Sequence, residues 1–227
     1  MNTAAIEKSI ELLNSSKLDE LRELLTFERQ KSILVGQGKK TSLLTAVKKF
    51  IDNNDLKTTR PELAKIQHTE DGKQFIIDGY LAVIWNNEHP ELNALPQRSA
   101  EESFPIHKVL LKPYEQTAYP LSLKDKMIIE NIEKYCKIYK HERMGAFLPI
   151  WIFGDYFDAF YLKKLFDIVG TDFDTIYFRE SITSSARTIY TDDYSAIFLP
   201  MRHLGGKEEE IKNRTDAFVL SLEEQSK

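Results

Sequence analysis

The sequence predicts an α+β protein, because one local pattern, an amphipathic helix followed by three strands, occurs twice along the chain. In the first copy a helix over residues 42–51 precedes three β-prone segments, and in the second a helix over residues 157–168 precedes three more that end near Met201. Asp-Gly pairs at residues 71–72 and 78–79 separate the strands of the first copy. Such pairs favour tight hairpin turns, since glycine adopts positive φ without strain.

The N-terminal elements come first. Between Ala4 and Leu25 apolar residues recur at helical spacing, interrupted near residues 14–16, which predicts two short helices with Ser16 as the N-cap of the second. Residues 32–35 are apolar and are followed by Gly36 and Gly38, which predicts a short strand.

The next helix and strands form the first copy of the pattern. Residues 42–51 place Leu43, Leu44, Val47, Phe50 and Ile51 on one face, which is typical of an amphipathic helix. The strands are predicted at residues 62–69, 74–77 and 80–85.

The middle of the chain connects the two copies. Residues 86–119 are rich in proline and predict a loop with one strand at 107–111. A long helix is expected at 123–141 and a strand at 148–153. The second copy follows, with its helix ending at Gly170, and after residues 205–206 a charged tail carries apolar residues that would suit a last helix.

Composition bounds the class of protein. The 227 residues are 42% hydrophobic and 29% charged with a net charge of −4, which suits one domain with appendages or two small domains, and argues against a disordered polyelectrolyte or a strongly basic nucleic-acid binder. No apolar run approaches the ~20 residues of a membrane span, and the N-terminus does not resemble a signal peptide. A soluble, cytoplasmic protein is expected.

Residues capable of catalysis form no known pattern. Cys136 is the only cysteine, lies among helical apolar residues and is expected to be a packed thiol, while the five histidines form no closely spaced pair. Acidic pairs at residues 172/174 and 192–193 fall in predicted turns, where aspartate is common. No nucleophile–base pair or glycine-rich phosphate loop is visible. We therefore expect no enzyme activity, catalytic residue, metal or cofactor.

Two separated blocks carry a family resemblance. The second block runs from Tyr161-Leu162 through three strands to Leu199-Pro200-Met201-Arg202, with His203 inserted before Leu204. The first supplies Thr59-Arg60-Pro61, Leu63, Asp71-Gly72 and Asp78-Gly79-Tyr80-Leu81-Ala82. In this order the motifs resemble the bacterial sliding clamp, the beta subunit of DNA polymerase III. The chain departs from the family at Glu62, where an apolar residue is usual, and in lacking an arginine between Tyr80 and Leu81.

The resemblance implies a fold and a domain plan. Two half-domains of this kind make one clamp domain, here expected at 32–204 with halves at 32–115 and 147–204 and a helical insertion at 121–144. Residues 1–31 would be a helical extension and residues 205–227 a charged tail. Because clamps close rings from six such domains, a homo-oligomer is implied, whereas a monomeric clamp-like domain is the simpler alternative.

The resemblance also implies two candidate sites. Clamp helices face DNA and contact its phosphates, for which lysines suffice. The matching residues are Lys39, Lys40, Lys48, Lys49, Lys163 and Lys164. Paired lysines also occur on the solvated face of any amphipathic helix, so this alternative stays open.

The second implied site is a pocket for short linear motifs of polymerases and repair proteins, which the closing segment of a clamp domain borders. By position its residues here are Leu199, Pro200, Met201 and Arg202. The alternative is an edge strand ended by proline. A neighbouring aromatic cluster, Tyr156, Phe157, Phe160 and Tyr161, has helical spacing and is expected to pack in the core.

The expected function is a non-enzymatic, clamp-like accessory of DNA replication that contacts duplex DNA, replication proteins, or both. The alternative is a clamp-fold interaction module or decoy, of the kind a phage or mobile element would encode, which binds proteins without encircling DNA. A third hypothesis, an enzyme on an unrelated α+β fold, has no motif in its favour.

Overall fold

A computed structural model describes residues 3–106, 116–178 and 186–225. The strand expected at 107–111 lies outside these residues. The described part is α+β with a large antiparallel sheet, which confirms the predicted class at this level.

Its helices are α1 (Thr3–Asn14), α2 (Leu18–Gly36), α3 (Ser42–Ile51), α4 (Asn54–Thr59), a 3₁₀ helix (Pro90–Ala94), α5 (Leu123–Glu130), α6 (Ile132–Ile138), α7 (Ala159–Val169) and α8 (Glu208–Gln225). Its strands are β1 (Gln67–His68), β2 (Gln74–Ile77), β3 (Leu81–Trp85), β4 (Thr117–Pro120), β5 (Pro149–Ile152), β6 (Asp155–Asp158), β7 (Thr175–Phe178), β8 (Arg187–Tyr190) and β9 (Tyr194–Phe198).

The chain divides into two compact units. Unit 1 comprises Met1–Asp78 and Trp85–Pro105, and unit 2 comprises Gly79–Ile84 and Ile106–Lys227. The chain passes between the units more than once, so neither unit is one continuous segment.

Unit 1 is mainly helical. In α3 the residues Leu44, Val47, Phe50 and Ile51 are buried, which confirms the predicted amphipathic helix. The hairpin of β1 and β2 turns at Gly72, whose φ of 85° only glycine adopts at low cost. The Asp71-Gly72 pair therefore predicted this turn correctly, because the turn requires a positive φ at glycine.

Unit 2 contains most of the sheet, with strands in the order β3-β9-β8-β7-β4. The pairs β8–β9 and β4–β7 are antiparallel, with Thr188 opposite Ile197 and Ala118 opposite Tyr177. A separate antiparallel hairpin of β5 and β6 leads directly into α7. The predicted three strands after α7 are confirmed, as is the helix end at Gly170, which has φ of 78°.

Helix α8 is part of unit 2. Its Thr215 Oγ1 accepts a hydrogen bond from Trp151 N–H at 3.2 Å, and its Arg214 donates to the Pro149 carbonyl at 2.7 Å. Phe218 is buried against the Tyr135 ring, with 5.2 Å between ring centroids. The segment expected as a charged tail therefore packs on β5 and α6.

Several local predictions are wrong. Residues 32–35 are the last turns of α2, in which Phe27 and Leu34 are buried on one face, so the expected boundary between residues 31 and 32 falls inside a helix. Ser16 is not an N-cap, because it has φ of 58° and α2 begins after Lys17 without a side-chain cap. Of the strand expected at 62–69, only Gln67 and His68 form a strand, β1, and Ile66 makes an isolated parallel bridge to Gln97.

Two further differences concern the middle of the chain. The helix expected at 123–141 divides at Asn131 into α5 and α6, and the capping box of Ser122 and Asp125 fixes its start. Strand β4 was not predicted, because its proline-containing sequence is unlike a buried strand and its residues are largely outside the core.

Candidate functional site

An apolar pocket of about 380 Å³ opens in unit 2. It forms where four parts of the chain meet: the residues entering β3, the junction of β6 and α7, residue 147, and the segment that follows β9. Its lining residues are Tyr80, Leu81, Phe147, Phe157, Asp158, Tyr161, Leu162, Phe198, Leu199, Pro200, Met201, Arg202 and His203. All four residues expected at a linear-motif pocket are among them. This volume lies within the range of typical small-ligand sites.

Two backbone hydrogen bonds hold the segment that follows β9. Leu199 N–H donates to the Tyr80 carbonyl at 2.9 Å, and Met201 N–H donates to the Tyr156 carbonyl at 2.8 Å. Pro200 between them has no N–H and is buried. The pocket edge is therefore fixed by main-chain contacts that do not depend on its side chains.

Aromatic rings form the walls. Tyr80 lies 5.2 Å from Tyr161 and 6.4 Å from Phe147, measured between ring centroids. Below them Phe157 and Phe198 are buried with 5.3 Å between their centroids. Rings at these separations pack favourably, and they present a rigid apolar surface.

The pocket is accessible because some of its apolar lining is exposed. Tyr80 has half of its surface exposed and Leu199 42%. Burying such surface under a ligand would be favourable by roughly 25 cal/mol for each Å². This part of the molecule is therefore suited to bind an apolar group.

Polar and charged side chains also lie at the pocket. Arg202 and His203 are exposed at the rim, and the Lys164 ammonium lies over the Tyr161 ring, 4.6 Å from its centroid. Asp158 lines the pocket although it is only 7% exposed. Burial raises the pKa of the Asp158 carboxyl above its ordinary value, although two backbone N–H groups favour the charged form.

The chain's thiol has no reactive environment. Cys136 is buried, as expected of a packed thiol, and burial raises its pKa to about 12. It is therefore protonated near neutral pH. Within the described residues no group of three or more histidine, cysteine, aspartate or glutamate side chains could hold a metal ion.

The six candidate DNA-binding lysines lie in both units. Lys39, Lys40, Lys48 and Lys49 belong to unit 1, and Lys163 and Lys164 to unit 2. Lys48 pairs with Asp52, the residue directly after α3, at 2.5 Å, and Lys163 pairs with Asp167 of the same helix at 2.6 Å. Lys39, Lys40 and Lys49 are exposed, with no ion pair to any described residue.

The aromatic cluster near residue 160 differs from its prediction. Phe157 is in the core as expected, but Tyr161 is only half-buried and forms a wall of the pocket. Phe147, Asp158 and Tyr161 were not predicted as site residues. An aspartate directly before an apolar helix does indicate an N-cap, but nothing in the sequence indicates that this one lines a pocket.

Comparison with protein-family models, with characterised proteins and with solved structures found no match to this chain. Among the described residues, no helix is both long and apolar enough to cross a membrane.

Proposed function

We propose that this chain is a non-enzymatic protein-binding module whose unit 2 pocket receives an apolar side chain from a short segment of a partner protein. The observation that carries this proposal is the open pocket beside residues 199–203, with apolar lining exposed at its edge. A rigid aromatic cavity with few polar groups suits anchoring of one side chain of an extended peptide.

The resemblance to sliding clamps supports a binding role for the same pocket residues. In sliding clamps the segment matching Leu199, Pro200, Met201 and Arg202 borders the pocket for linear motifs, and here these residues line a pocket. The partner class implied is a polymerase or another replication protein. A flexible methionine at the edge would let the pocket accommodate anchors of different shape.

The contacts of three candidate lysines favour an interaction module over a clamp that encircles DNA. Lys48 and Lys163 each already pair with a carboxylate, and Lys164 lies over the Tyr161 ring. A phosphate would have to compete with these contacts, whereas among the six candidates Lys39, Lys40 and Lys49 have no ion pair to a described residue. The pocket requires no such rearrangement to accept a ligand.

The test is selection of peptides from a random display library on the immobilised 227-residue chain. We expect enriched peptides to share an aromatic or large aliphatic residue. Their affinity should fall at least about tenfold for Leu199→Glu, because a carboxylate at the apolar edge would have to be desolvated.

Leu220→Glu is the matched control. Leu220 is 59% exposed on α8 and does not line the pocket, so the same substitution there should leave peptide affinity unchanged. Selected peptides that bind Leu199→Glu as tightly as the unmodified chain would refute the proposal.

A further inference from the structure

Asp158 is a buried carboxylate in a pocket lined mainly by apolar side chains. It is the last residue of β6 and the N-cap of α7. Its Oδ1 accepts hydrogen bonds from Leu148 N–H and Phe160 N–H, both at 3.1 Å. Ala159 N–H also donates to the Leu148 carbonyl at 2.8 Å, which fixes the backbone beside the carboxylate.

The second carboxylate oxygen has no such contacts. Oδ2 of Asp158 has no hydrogen-bond or ion-pair partner anywhere in residues 3–106, 116–178 and 186–225. Asp158 is only 7% exposed, so little solvent can replace the missing protein donor at this oxygen, and buried polar groups in proteins are normally paired. The raised pKa of this carboxyl reflects the cost of its burial. The pocket therefore offers a strong acceptor to any ligand that brings a donor.

The surrounding charges indicate which donor is suitable. Arg202 stands at the rim, and Lys164 lies over Tyr161, so a cationic ligand would approach two other cations. A neutral donor avoids this repulsion. The aromatic walls and the volume of about 380 Å³ suit a ring with a polar tip.

Resting on the proposed function, we propose that the pocket recognises an aromatic side chain that carries a neutral hydrogen-bond donor, a tryptophan or a tyrosine of the partner segment, and that Asp158 Oδ2 accepts its N–H or O–H. The ring packs among Tyr80, Phe147 and Tyr161. Asp158 thereby selects against phenylalanine or leucine, which would bury the carboxylate without a donor.

The test uses two pairs of small probes in which only the donor is removed. Indole and 1-methylindole represent tryptophan, and p-cresol and 4-methylanisole represent tyrosine. Dissociation constants are measured by NMR titration of the labelled 227-residue chain, following the backbone amides of residues 80, 161, 199 and 201. We expect at least one donor-bearing probe to bind about tenfold tighter than its methylated counterpart, as hydrogen bonds to charged groups allow.

Asp158→Asn is the discriminating variant. An asparagine oxygen can still accept both backbone N–H groups and cap α7, but it turns an NH₂ group towards the pocket. The preference for the donor-bearing probe should then fall to less than about twofold. Asp167→Asn, an exposed position on the same helix, should keep the full preference.

The outcomes separate the two proposals. Equal affinity for both members of each pair in the unmodified chain would overturn donor recognition and leave the pocket as an apolar binding site. An unchanged preference in Asp158→Asn would also overturn the role of Asp158. Absence of shifts at the pocket amides with every probe would overturn the proposed function as well. The probe comparison in the unmodified chain decides the matter even if the variant fails to fold.

Discussion

At the scale of single residues, the environment of Asp158 determines how stability depends on pH. Its pKa in the folded chain is raised above the ordinary 3.8, with burial as the main cause, so the folded state holds this proton to higher pH than the unfolded state does. Between these two pKa values the folded state binds more protons. Its stability relative to the unfolded state therefore decreases as pH rises through that interval.

Asp158→Asn removes this titration. We expect the free energy of unfolding of the unmodified chain, minus that of the variant, to decrease as pH rises from about 4 and to level off above the folded pKa. Urea unfolding of both proteins at a series of pH values measures this difference. A difference that increases with pH would contradict the assignment of Asp158 as a carboxylate destabilised by burial.

A second prediction at this scale concerns the end of α7. Gly170 has φ of 78° and ψ of −169°, a conformation that residues with a Cβ rarely adopt, although a Cβ would meet no atom within 4 Å. Gly170→Ala should destabilise the chain by about 1–3 kcal/mol through backbone strain alone.

The control is Gly36, the last residue of α2, where a Cβ also meets nothing within 4 Å and no unusual φ is required. Gly36→Ala should be neutral or stabilise by up to about 1 kcal/mol, since alanine favours helix. If urea unfolding gives the same change in unfolding free energy for both substitutions, backbone strain at residue 170 does not cause the destabilisation.

At the scale of elements, α8 contributes to the core of unit 2. Phe218 is fully buried between Tyr135 and Tyr139, whereas Leu220 on the same helix is 59% exposed. Phe218→Ala should cost about 3–5 kcal/mol of unfolding free energy, because it removes buried apolar surface and leaves a cavity.

Leu220→Ala should change stability by less than about 0.5 kcal/mol, as exposed positions usually do. Urea unfolding compares the two variants. Similar small effects for both would mean that α8 does not pack as described.

The same scale explains which elements could be predicted. Helix α3 and the three strands after α7 were predicted because their periodicity and turn residues agree with the final structure. Residues 32–35 are β-prone by themselves, but they continue a helix in which Phe27 and Leu34 are buried on one face. Tertiary burial thus outweighed the local β propensity. A short window of sequence contains no information about tertiary burial.

The candidate site was only partly predictable for a related reason. The family resemblance identified the segment from Leu199 to Arg202. Phe147, Tyr161 and Tyr80 meet it only through the fold, and they lie far apart in the sequence. The sequence indicates Asp158 only as an N-cap. Its proposed role as an acceptor for a ligand depends on the structure, in which both backbone N–H groups bind Oδ1 and leave Oδ2 for the pocket.

At the scale of the whole molecule, the question is whether the chain acts on DNA or on proteins. Its net charge is −4, and two of the six candidate lysines are held in ion pairs with a carboxylate four residues further along the chain. We expect no salt-sensitive binding to duplex DNA, and no change when Lys48, Lys49, Lys163 and Lys164 are replaced by glutamate.

Fluorescence anisotropy with a labelled duplex at several salt concentrations measures this directly. Light scattering with and without the duplex reports whether DNA promotes assembly. Affinity that decreases steeply with salt and is lost in the glutamate variant would instead support a clamp that acts on DNA.

The most direct test of the central claim is an experimental structure of the chain bound to a peptide selected on it. We predict that an aromatic side chain of the peptide lies in the unit 2 pocket, in contact with Tyr80, Tyr161 and Met201. A peptide bound elsewhere, with this pocket empty, would contradict the proposal that the pocket is the functional site.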